Sequence, residues 1–192
     1  GEVTPKHTGG LNINMTYKNF DFSAGFTYAI GGKVYNALAM SNMYGNIDNS
    51  IGANRMKFIE DTYKIYDVDA NGDLQPVTDP ASLAVLNAGA KYALPYYERG
   101  LVLSNWVEDA SYLRLNTLTV GYTLPTQWGK KIGLEYARFY VTGGNLFCIT
   151  GYSGLDPEVN TNGNYGGFPT IGLDYYTYPR SRTFTVGLKL TL

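Results

Sequence analysis

The chain has 192 residues, a formal net charge of −1 at pH 7 and only 16% charged residues, so it lacks the basic field of a nucleic-acid-binding protein. Its single cysteine, Cys148, and single histidine, His7, exclude an internal disulfide, a cysteine-based metal cluster and a histidine-rich metal site. The 18 Tyr and 23 Gly are typical of β-structure and of the aromatic belts at membrane interfaces.

Two amphipathic strands are predicted near the start of the chain, over about 9–17 and 20–30. Apolar residues occupy every second position in both ranges, and Lys18-Asn19 forms a tight turn between them. The intervening residues are Asn, Thr, Ser, Asp and Gly, which are too polar for the core of a soluble domain. We therefore expect a hairpin whose apolar face points outward.

The alternation disappears over 31–110, which is far longer than an ordinary loop and is predicted to carry function or local structure of its own. One short helix is predicted over 54–66. A second should begin after Asp79, the N-cap, with Pro80 at its first position, and should end before Gly89.

An acidic segment lies between the two predicted helices. Asp67, Asp69, Asn71 and Asp73 place oxygen ligands at alternate positions, as in the first half of a calcium loop. The twelfth position, where an EF-hand needs a bidentate glutamate, is Thr78, so the segment is not an EF-hand. Two hypotheses remain open: a looser calcium site, or a polar turn whose side chains cap backbone amides.

Three further strands are predicted over about 111–124, 135–148 and 181–192, and the last two are separated by a second long loop, 149–180. In the first of them the apolar residues change parity near Asn116. This change indicates either a β-bulge or an early part that packs on a plug instead of lipid. The apolar residues of the last strand are Phe184, Val186, Leu188, Leu190 and Leu192.

Five strands of this length match the roughly 9–11 tilted residues with which a strand crosses a bilayer. Short turns alternate with the long loops, as in outer-membrane barrels. The sequence therefore predicts an all-β fold, part of a transmembrane antiparallel β-barrel with long extracellular loops. Five strands cannot close a barrel, and the first residues lack the apolar segment of a signal peptide, so we expect a fragment or processed piece.

The alternative is a soluble β-sandwich that binds carbohydrate through exposed Tyr and Trp side chains. In that fold the apolar face of each hairpin would pack in a core, and the Asn, Thr and Ser residues would face water. Alternation by itself leaves both folds open. A water-soluble monomer would exclude the barrel.

Several motifs also resemble, in sequence and in order, the C-terminal end of SusC/RagA-type TonB-linked outer-membrane transporters. The motifs are Ser111-Tyr112-Leu113-Arg114-Leu115, Val141-Thr142-Gly143-Gly144-Asn145-Leu146-Phe147, Tyr152-Ser153-Gly154-Leu155-Asp156-Pro157-Glu158-Val159-Asn160 and Tyr178-Pro179-Arg180-Ser181-Arg182-Thr183-Phe184. The stretch Val3-Thr4-Pro5 with Thr8-Gly9-Gly10 resembles the preceding strands of the same family. The resemblance covers essentially the whole chain.

The resemblance implies a barrel of about 22 strands closed around a plug domain. This chain would supply the last five strands, and the plug would be absent from it. The family implies active import of a large nutrient, an oligosaccharide or a peptide, across the outer membrane of a Gram-negative bacterium of the Bacteroidetes type. The implied partners are a SusD-like surface lipoprotein, the TonB–ExbB–ExbD complex through the missing N-terminal part, the rest of the barrel, the plug and outer-membrane lipid. No enzymatic step is implied.

Four side chains are candidates for contact with a ligand or partner: Trp106, Arg138, Tyr175 and Tyr176. The three aromatic residues are suited to stacking on sugar rings or lining the lipoprotein contact, and ordinary loop packing is the alternative for each. Arg138 is predicted on the polar face. There it would contact solute or plug, or pair with acidic residues of neighbouring strands or of the plug.

Structural or surface roles are expected for the charged residues of the second long loop and the start of the last strand. Asp156 and Glu158 are expected to fix a turn and not to act as acid and base. Arg180 and Arg182 are expected either to meet lipopolysaccharide phosphates or to lie in water at the start of the last strand.

Acidic residues on the apolar face of the last strand should prevent membrane assembly. We expect Phe184→Asp and Leu192→Asp together to abolish it. Midplane basic residues cost about 2–4 kcal/mol each and acidic ones less, so the main effect should be on recognition and insertion. The measurement is the heat-modifiable band of a folded barrel on gels. A normal band from the variant would contradict the barrel prediction.

Overall fold

The computed structural model describes residues 1–44, 57–92, 104–165, 168–175 and 177–192. Two compact units are present, one of Gly1–Asn36 with Val107–Leu192 and the other of Ala37–Trp106. Short 3₁₀ helices lie at Lys57–Asp61 and Ser104–Trp106. The other elements are, in chain order, β1 (His7–Tyr17), β2 (Phe20–Ile30), β3 (Lys33–Asn36), α1 (Ala37–Tyr44), β4 (Tyr66–Val68), β5 (Leu74–Pro76), α2 (Pro80–Leu86), β6 (Val107–Asp109), β7 (Tyr112–Thr123), α3 (Thr126–Lys131), β8 (Tyr136–Thr150), β9 (Asn160–Tyr165), β10 (Phe168–Ile171), β11 (Leu173–Asp174) and β12 (Thr183–Thr191).

Five long strands form one sheet in the order β1-β2-β7-β8-β12, and every neighbouring pair is antiparallel. Sheet order follows chain order, so each strand pairs with the long strand before it. The turn between β1 and β2 has Lys18 at φ +53°, and α3 joins β7 to β8. The prediction of an all-β, antiparallel fold is confirmed.

The register of this sheet gives it two chemically different faces. Directly opposed residues of antiparallel strands point to the same face. Apolar rows crossing all five strands are Met15, Phe22, Val120, Val141 and Val186, and Tyr17, Phe20, Tyr122, Phe139 and Leu188. The row between them is Thr16, Asp21, Gly121, Tyr140 and Gly187, and the row on the other side of Met15 is Asn14, Ser23, Thr119, Thr142 and Thr185.

The apolar face is largely exposed in the described part of the chain. On β12 the exposed fractions of Phe184, Val186 and Leu188 are 73%, 67% and 63%. The unit that contains the long strands has a small buried apolar cluster outside those strands. Its members are Val34, Ala110, Tyr152 and Val159, and Tyr152 lies just after the end of β8. Most large apolar side chains of this face are therefore not packed in a core, and Leu115, which is buried, is an exception.

The predicted bulge near Asn116 is confirmed. The pairing of β2 with β7 skips one residue of β7 between Leu115 and Thr117. The pairing of β7 with β8 is irregular at the same place. Because one residue is skipped, Leu115 lies opposite Phe26 and the apolar residues on both sides of the bulge share one face. The side-chain amide of Asn116 donates to Thr27 Oγ1 over 2.9 Å.

The two long connections predicted over 31–110 and 149–180 contain short strands, and local structure was expected in the first of them. Within them β3, β6 and β11 form a second sheet in the order β11-β3-β6, with β11 parallel to β3. The two connections therefore share backbone hydrogen bonds. Strands of two to four residues are too short to produce a visible alternation, which is why the sequence pattern missed them.

The unit Ala37–Trp106 contains one predicted helix and lacks the other in the residues described. Helix α2 begins as expected, with Asp79 Oδ2 accepting from the Ser82 amide over 2.8 Å and Pro80 at the first position. The helix predicted over 54–66 is wrong where the structure describes it: a 3₁₀ helix covers Lys57–Asp61 and β4 begins at Tyr66. No helix in the described ranges is long and apolar enough to cross a membrane.

Candidate functional site

A buried arginine lies on the polar face of the sheet, near the start of β7. Strand alternation turns Arg114 away from the apolar neighbours Leu113 and Leu115, and its side chain is only 2% exposed. Its Nη1 donates to Asn145 Oδ1 of β8 over 2.6 Å, and its Nη2 donates to Asp156 Oδ1 over 2.6 Å. The guanidinium thus joins two neighbouring strands to the segment that follows β8.

Two carboxylates, Asp156 and Glu158, balance the positive charges of Arg114 and of a second arginine, Arg180. The Nε of Arg114 lies 2.8 Å from Glu158 Oε2, and the Nη1 of Arg180 lies 3.1 Å from that same oxygen. The Glu158 amide also donates to Asp156 Oδ1 over 2.9 Å. Two guanidinium groups therefore face two carboxylates. Burial of such charges is tolerated only when they are paired in this way.

Asn145 has a backbone conformation that suits its place in the cluster. Its φ is +50°, in the left-handed region that Asn enters more readily than most residues. Its side-chain oxygen accepts from Arg114, and its side-chain nitrogen donates to the carbonyl of Arg180 over 2.9 Å. Asn145 consequently links the buried arginine to the segment that leads into β12.

These contacts unite the motifs that carry the family resemblance. Arg114, Asn145, the pair Asp156 and Glu158, and Arg180 come from four different motif segments. The turn predicted at Asp156 is present, but the sequence analysis missed both carboxylates as ion-pair partners. Arg180 is half exposed and pairs with Glu158, where contact with lipopolysaccharide or water was expected. The available signal was a charged residue in three of the motifs and the polar Asn145 in the fourth.

A second polar group ties β11 to the segment after β8. The Tyr152 hydroxyl donates to Asp174 Oδ2 over 2.6 Å, and both residues are buried. Burial, together with the bond to Asp174, raises the pKa of Tyr152 well above its usual range. The Ser153 hydroxyl donates to Glu108 Oε1 over 2.6 Å, and the side-chain amide of Asn36 donates to the same oxygen over 2.9 Å.

An ion pair lies at the base of the β3–β6 pair. Lys33 Nζ is 3.1 Å from Asp109 Oδ2, and the Ser111 amide donates to Asp109 Oδ1 over 2.8 Å. Hydrogen bonds from Ser111, helped by Lys33, lower the pKa of Asp109 to about 2. The connection that enters Ala37–Trp106 and the one that leaves it are therefore held together at Lys33–Asn36 and Val107–Asp109.

Arg138 makes an ion pair that spans a whole strand. Its Nε donates to Asp21 Oδ1 over 2.9 Å and its Nη2 to Asp21 Oδ2 over 2.5 Å, although Asp21 lies on β2 and Arg138 on β8. The guanidinium also lies 4.9 Å from the centre of the Tyr140 ring. The side chains cross β7 above Gly121, which has no Cβ to block them. The structure shows the pairing alternative; contact with solute or plug stays a prediction.

The aromatic candidates differ in exposure. Trp106 is 4% exposed and stacks on Tyr92 with ring centres 6.1 Å apart, which matches the packing alternative. Tyr175 is half exposed, and its contact with a ligand or partner stays a prediction. Tyr176 lies outside the described residues.

The acidic segment Asp67 to Asp73 forms the β4–β5 hairpin and its turn. Asp69 Oδ1 accepts from the amides of Asn71 and Asp73, each over 2.9 Å. These bonds, the one from Asp73 first, lower the pKa of Asp69. The geometry matches the polar-turn hypothesis, and the described residues contain no group of three or more His, Cys, Asp or Glu side chains placed to hold a metal. Calcium binding at these residues stays a prediction.

The chain is similar in sequence to proteins named TonB-dependent receptors. No protein-family model matches the chain. TonB-dependent receptor P3 of Formosa agariphila is 33% identical over 192 residues, which are 99% of this chain and 17% of the receptor. TonB-dependent receptor SusC of Bacteroides thetaiotaomicron is 29% identical over 185 residues, 94% of this chain and 14% of SusC. The resemblance to SusC/RagA-like TonB-dependent receptors is confirmed. The chain thus spans about a sixth of the length of the curated relatives it matches.

Solved structures show the same fold for this SusC/RagA-like chain. The RagAB peptide transporter matches with a TM-score of 0.65 at 22% identity, over 98% of this chain and 17% of the matched one. The RagAB peptide importer in its closed-closed state matches with a TM-score of 0.63 at 23% identity. At this level of identity the match shows a shared fold alone.

A methyl group at Gly121 should weaken the Asp21–Arg138 pair. Its Cβ would lie too close to the Asp21 carboxylate and the Arg138 guanidinium, and this pair is only partly buried, so we expect Gly121→Ala to destabilise the full-length protein by about 0.5–1 kcal/mol. The measurement is the temperature at which the folded band on gels converts to the unfolded band. Gly151→Ala is the control, because a Cβ there meets nothing within 4 Å. Equal conversion temperatures for the two variants would contradict this role of Gly121.

The calcium hypothesis predicts saturable binding that depends on the acidic segment. Calcium titration by calorimetry should show binding to the parent protein and a weaker or absent signal for Asp67→Ala and Asp69→Ala, because each change removes an oxygen ligand. Identical isotherms for parent and variants would end the calcium hypothesis and leave the polar turn.

Proposed function

We propose that the chain is part of the wall of an outer-membrane importer in a Gram-negative bacterium of the Bacteroidetes type. The importer takes up a large nutrient, an oligosaccharide or a peptide, with energy supplied through TonB. A SusD-like surface lipoprotein is its partner at the cell surface. The observation that carries the proposal is the two-faced five-stranded sheet.

The exposed apolar face supports a membrane location. A contiguous apolar surface that crosses five strands is far larger than the single exposed side chains normal for a water-soluble monomer. Hydrocarbon would cover this face without a further protein layer. The strands are also long enough, since β12 has 9 residues and β7 has 12, against the roughly 9–11 that cross a bilayer.

The opposite face has the chemistry of a water-filled lumen. Its side chains bond to one another: Ser23 Oγ donates to Asn14 Oδ1 over 2.7 Å, and the hydroxyls of Thr119 and Thr142 are 2.9 Å apart. Uncharged hydroxyls and amides are suited to brief hydrogen bonds with the hydroxyl groups of sugars or the backbone of peptides.

A closed barrel needs more strands than this chain contains. In a bilayer the outer edges of β1 and β12 would leave backbone groups without partners, so each edge must pair with another strand. We assign this chain, residues 1–192, to the C-terminal portion of a barrel of about 22 strands. The other strands, the plug and the segment that contacts the TonB–ExbB–ExbD complex would belong to parts of a longer protein that this chain does not span.

The names of the relatives support the energy source and the class of nutrient. The relatives are named TonB-dependent receptors, and the matched structures are named a peptide importer or transporter.

A soluble β-sandwich that binds carbohydrate, the alternative, needs a second layer on the apolar face of the sheet. The buried cluster of Val34, Ala110, Tyr152 and Val159 is too small to be that layer and lies at one end of the sheet.

The import function is tested by deletion of the full-length gene in its source bacterium. The strains are grown on defined oligosaccharides and peptides, each as the sole carbon or nitrogen source, beside their monomers. We expect loss of growth on at least one large nutrient, normal growth on its monomers, and rescue by the plasmid-borne gene only in a strain with functional TonB. A SusD-like lipoprotein should copurify with the receptor from outer membranes.

Two results would contradict the proposal. Equal growth of parent and deletion strains on all the nutrients would exclude import of this class. Rescue of uptake in a strain without TonB would show that another energy source drives it.

A further inference from the structure

We propose that Arg114 is a positioning residue that anchors both ends of the segment between β8 and β12 to the polar face of the sheet. One buried guanidinium contacts the start of that segment directly and its end through Asn145 and Glu158. Placing this anchor at the outer mouth of the lumen rests on the proposed function, whereas the anchor itself rests on the contacts alone.

The start of the segment depends on Arg114 through Asp156 and Glu158. Asp156 accepts a hydrogen bond from the guanidinium at 2.6 Å, and Glu158 forms an ion pair with it at 2.8 Å. Asp156 also accepts the Glu158 amide, so the ion pair fixes backbone as well as side chains. Buried carboxylates that lose their cation are costly, and the segment can relieve that cost by moving out into water.

The end of the segment depends on the same cluster. Arg180 contacts Glu158 at 3.1 Å, and its carbonyl accepts from Asn145, the residue that also accepts from Arg114. Arg180 is 53% exposed and Arg114 is 2% exposed. An exposed ion pair contributes little to stability, whereas breaking a buried one is strongly destabilising. Replacing Arg114 should therefore have a much larger effect than replacing Arg180.

The anchor also holds the contacts that join the two long connections. Tyr152 and Val159 flank the carboxylates and pack with Val34 and Ala110, which belong to the connection between β2 and β7. The Tyr152 bond to Asp174 and the Ser153 bond to Glu108 lie in the same region. Loss of the Arg114 contacts should therefore weaken the contacts between the two long connections while the long strands stay paired.

The test is hydrogen exchange of the full-length receptor, purified from outer membranes, with Arg114→Met, Arg114→Lys and Arg180→Met. The reporter is the peptide covering 151–159, in which the Tyr152, Ser153 and Glu158 amides bond to side chains. We expect Arg114→Met to raise its exchange at least about tenfold, while peptides of β1 and β2 stay unchanged. Lysine cannot reach all three acceptors, so Arg114→Lys should give a smaller rise.

Arg180→Met is the matched control, since it removes the same charge from an exposed position and should change exchange by less than about threefold. Trypsin should also cleave after Arg180 faster in Arg114→Met than in the parent.

Unchanged exchange over 151–159 in Arg114→Met would overturn the proposal, as would a rise shared equally by β1 and β2. If Arg114→Met fails to assemble, Asp156→Asn must show the same local rise, and no rise there would overturn it.

The outcomes are separable from those of the import test. A receptor that assembles without TonB-dependent uptake refutes import, and the exchange measurement remains valid on it. Unchanged exchange in a receptor that imports its nutrient refutes the anchor alone.

Discussion

The structure depends on one constraint, the register that aligns five long strands so that apolar residues face apolar residues. Side chains of a strand alternate between faces, so a slip of one residue in any pair would mix the two faces. The bulge at Asn116 is where this constraint is most demanding. Its extra residue allows Leu113 and Leu115 to share a face with Leu118, in spite of their opposite parity. Without that irregularity, β7 would turn apolar residues toward the polar side at one of its ends.

The two ends of the sheet are built differently. At one end, the turn at Lys18-Asn19 and helix α3 join neighbouring strands by short connections. At the other end, ionic and hydrogen-bonded groups hold long connections together, and the apolar cluster there is small. Arg114 is central to this end because it joins β7 to β8 and to the segment that follows β8. Polar anchoring of this kind fits a region that borders water, where a large apolar core is not available.

The long strands were predictable because a period of two extends over about ten residues, and the phase change in β7 located the bulge. The short strands β3, β6 and β11 were not, since two to four residues carry no period. The cluster around Arg114 was also beyond the sequence pattern, because Arg114 and Asp156 are 42 residues apart and only the fold brings them together. Resemblance to a family indicated which segments matter but not that they meet. For Arg138, the polar parity was predictable, whereas a partner two strands away was not.

The most direct test of the central claim is fluorescence quenching along β12 of the full-length receptor in lipid vesicles, with Cys148 replaced by serine and one labelled cysteine at a time. Labels at Val186, Leu188 and Leu190 should be quenched by lipids that carry a quencher in the acyl chain. Labels at Thr185, Gly187 and Lys189 should be quenched by aqueous iodide instead. We therefore expect quenching by lipid and by iodide to alternate with a period of two along β12. Equal quenching of both sets, or the reverse pattern, would contradict a sheet with one face in lipid and the other in water.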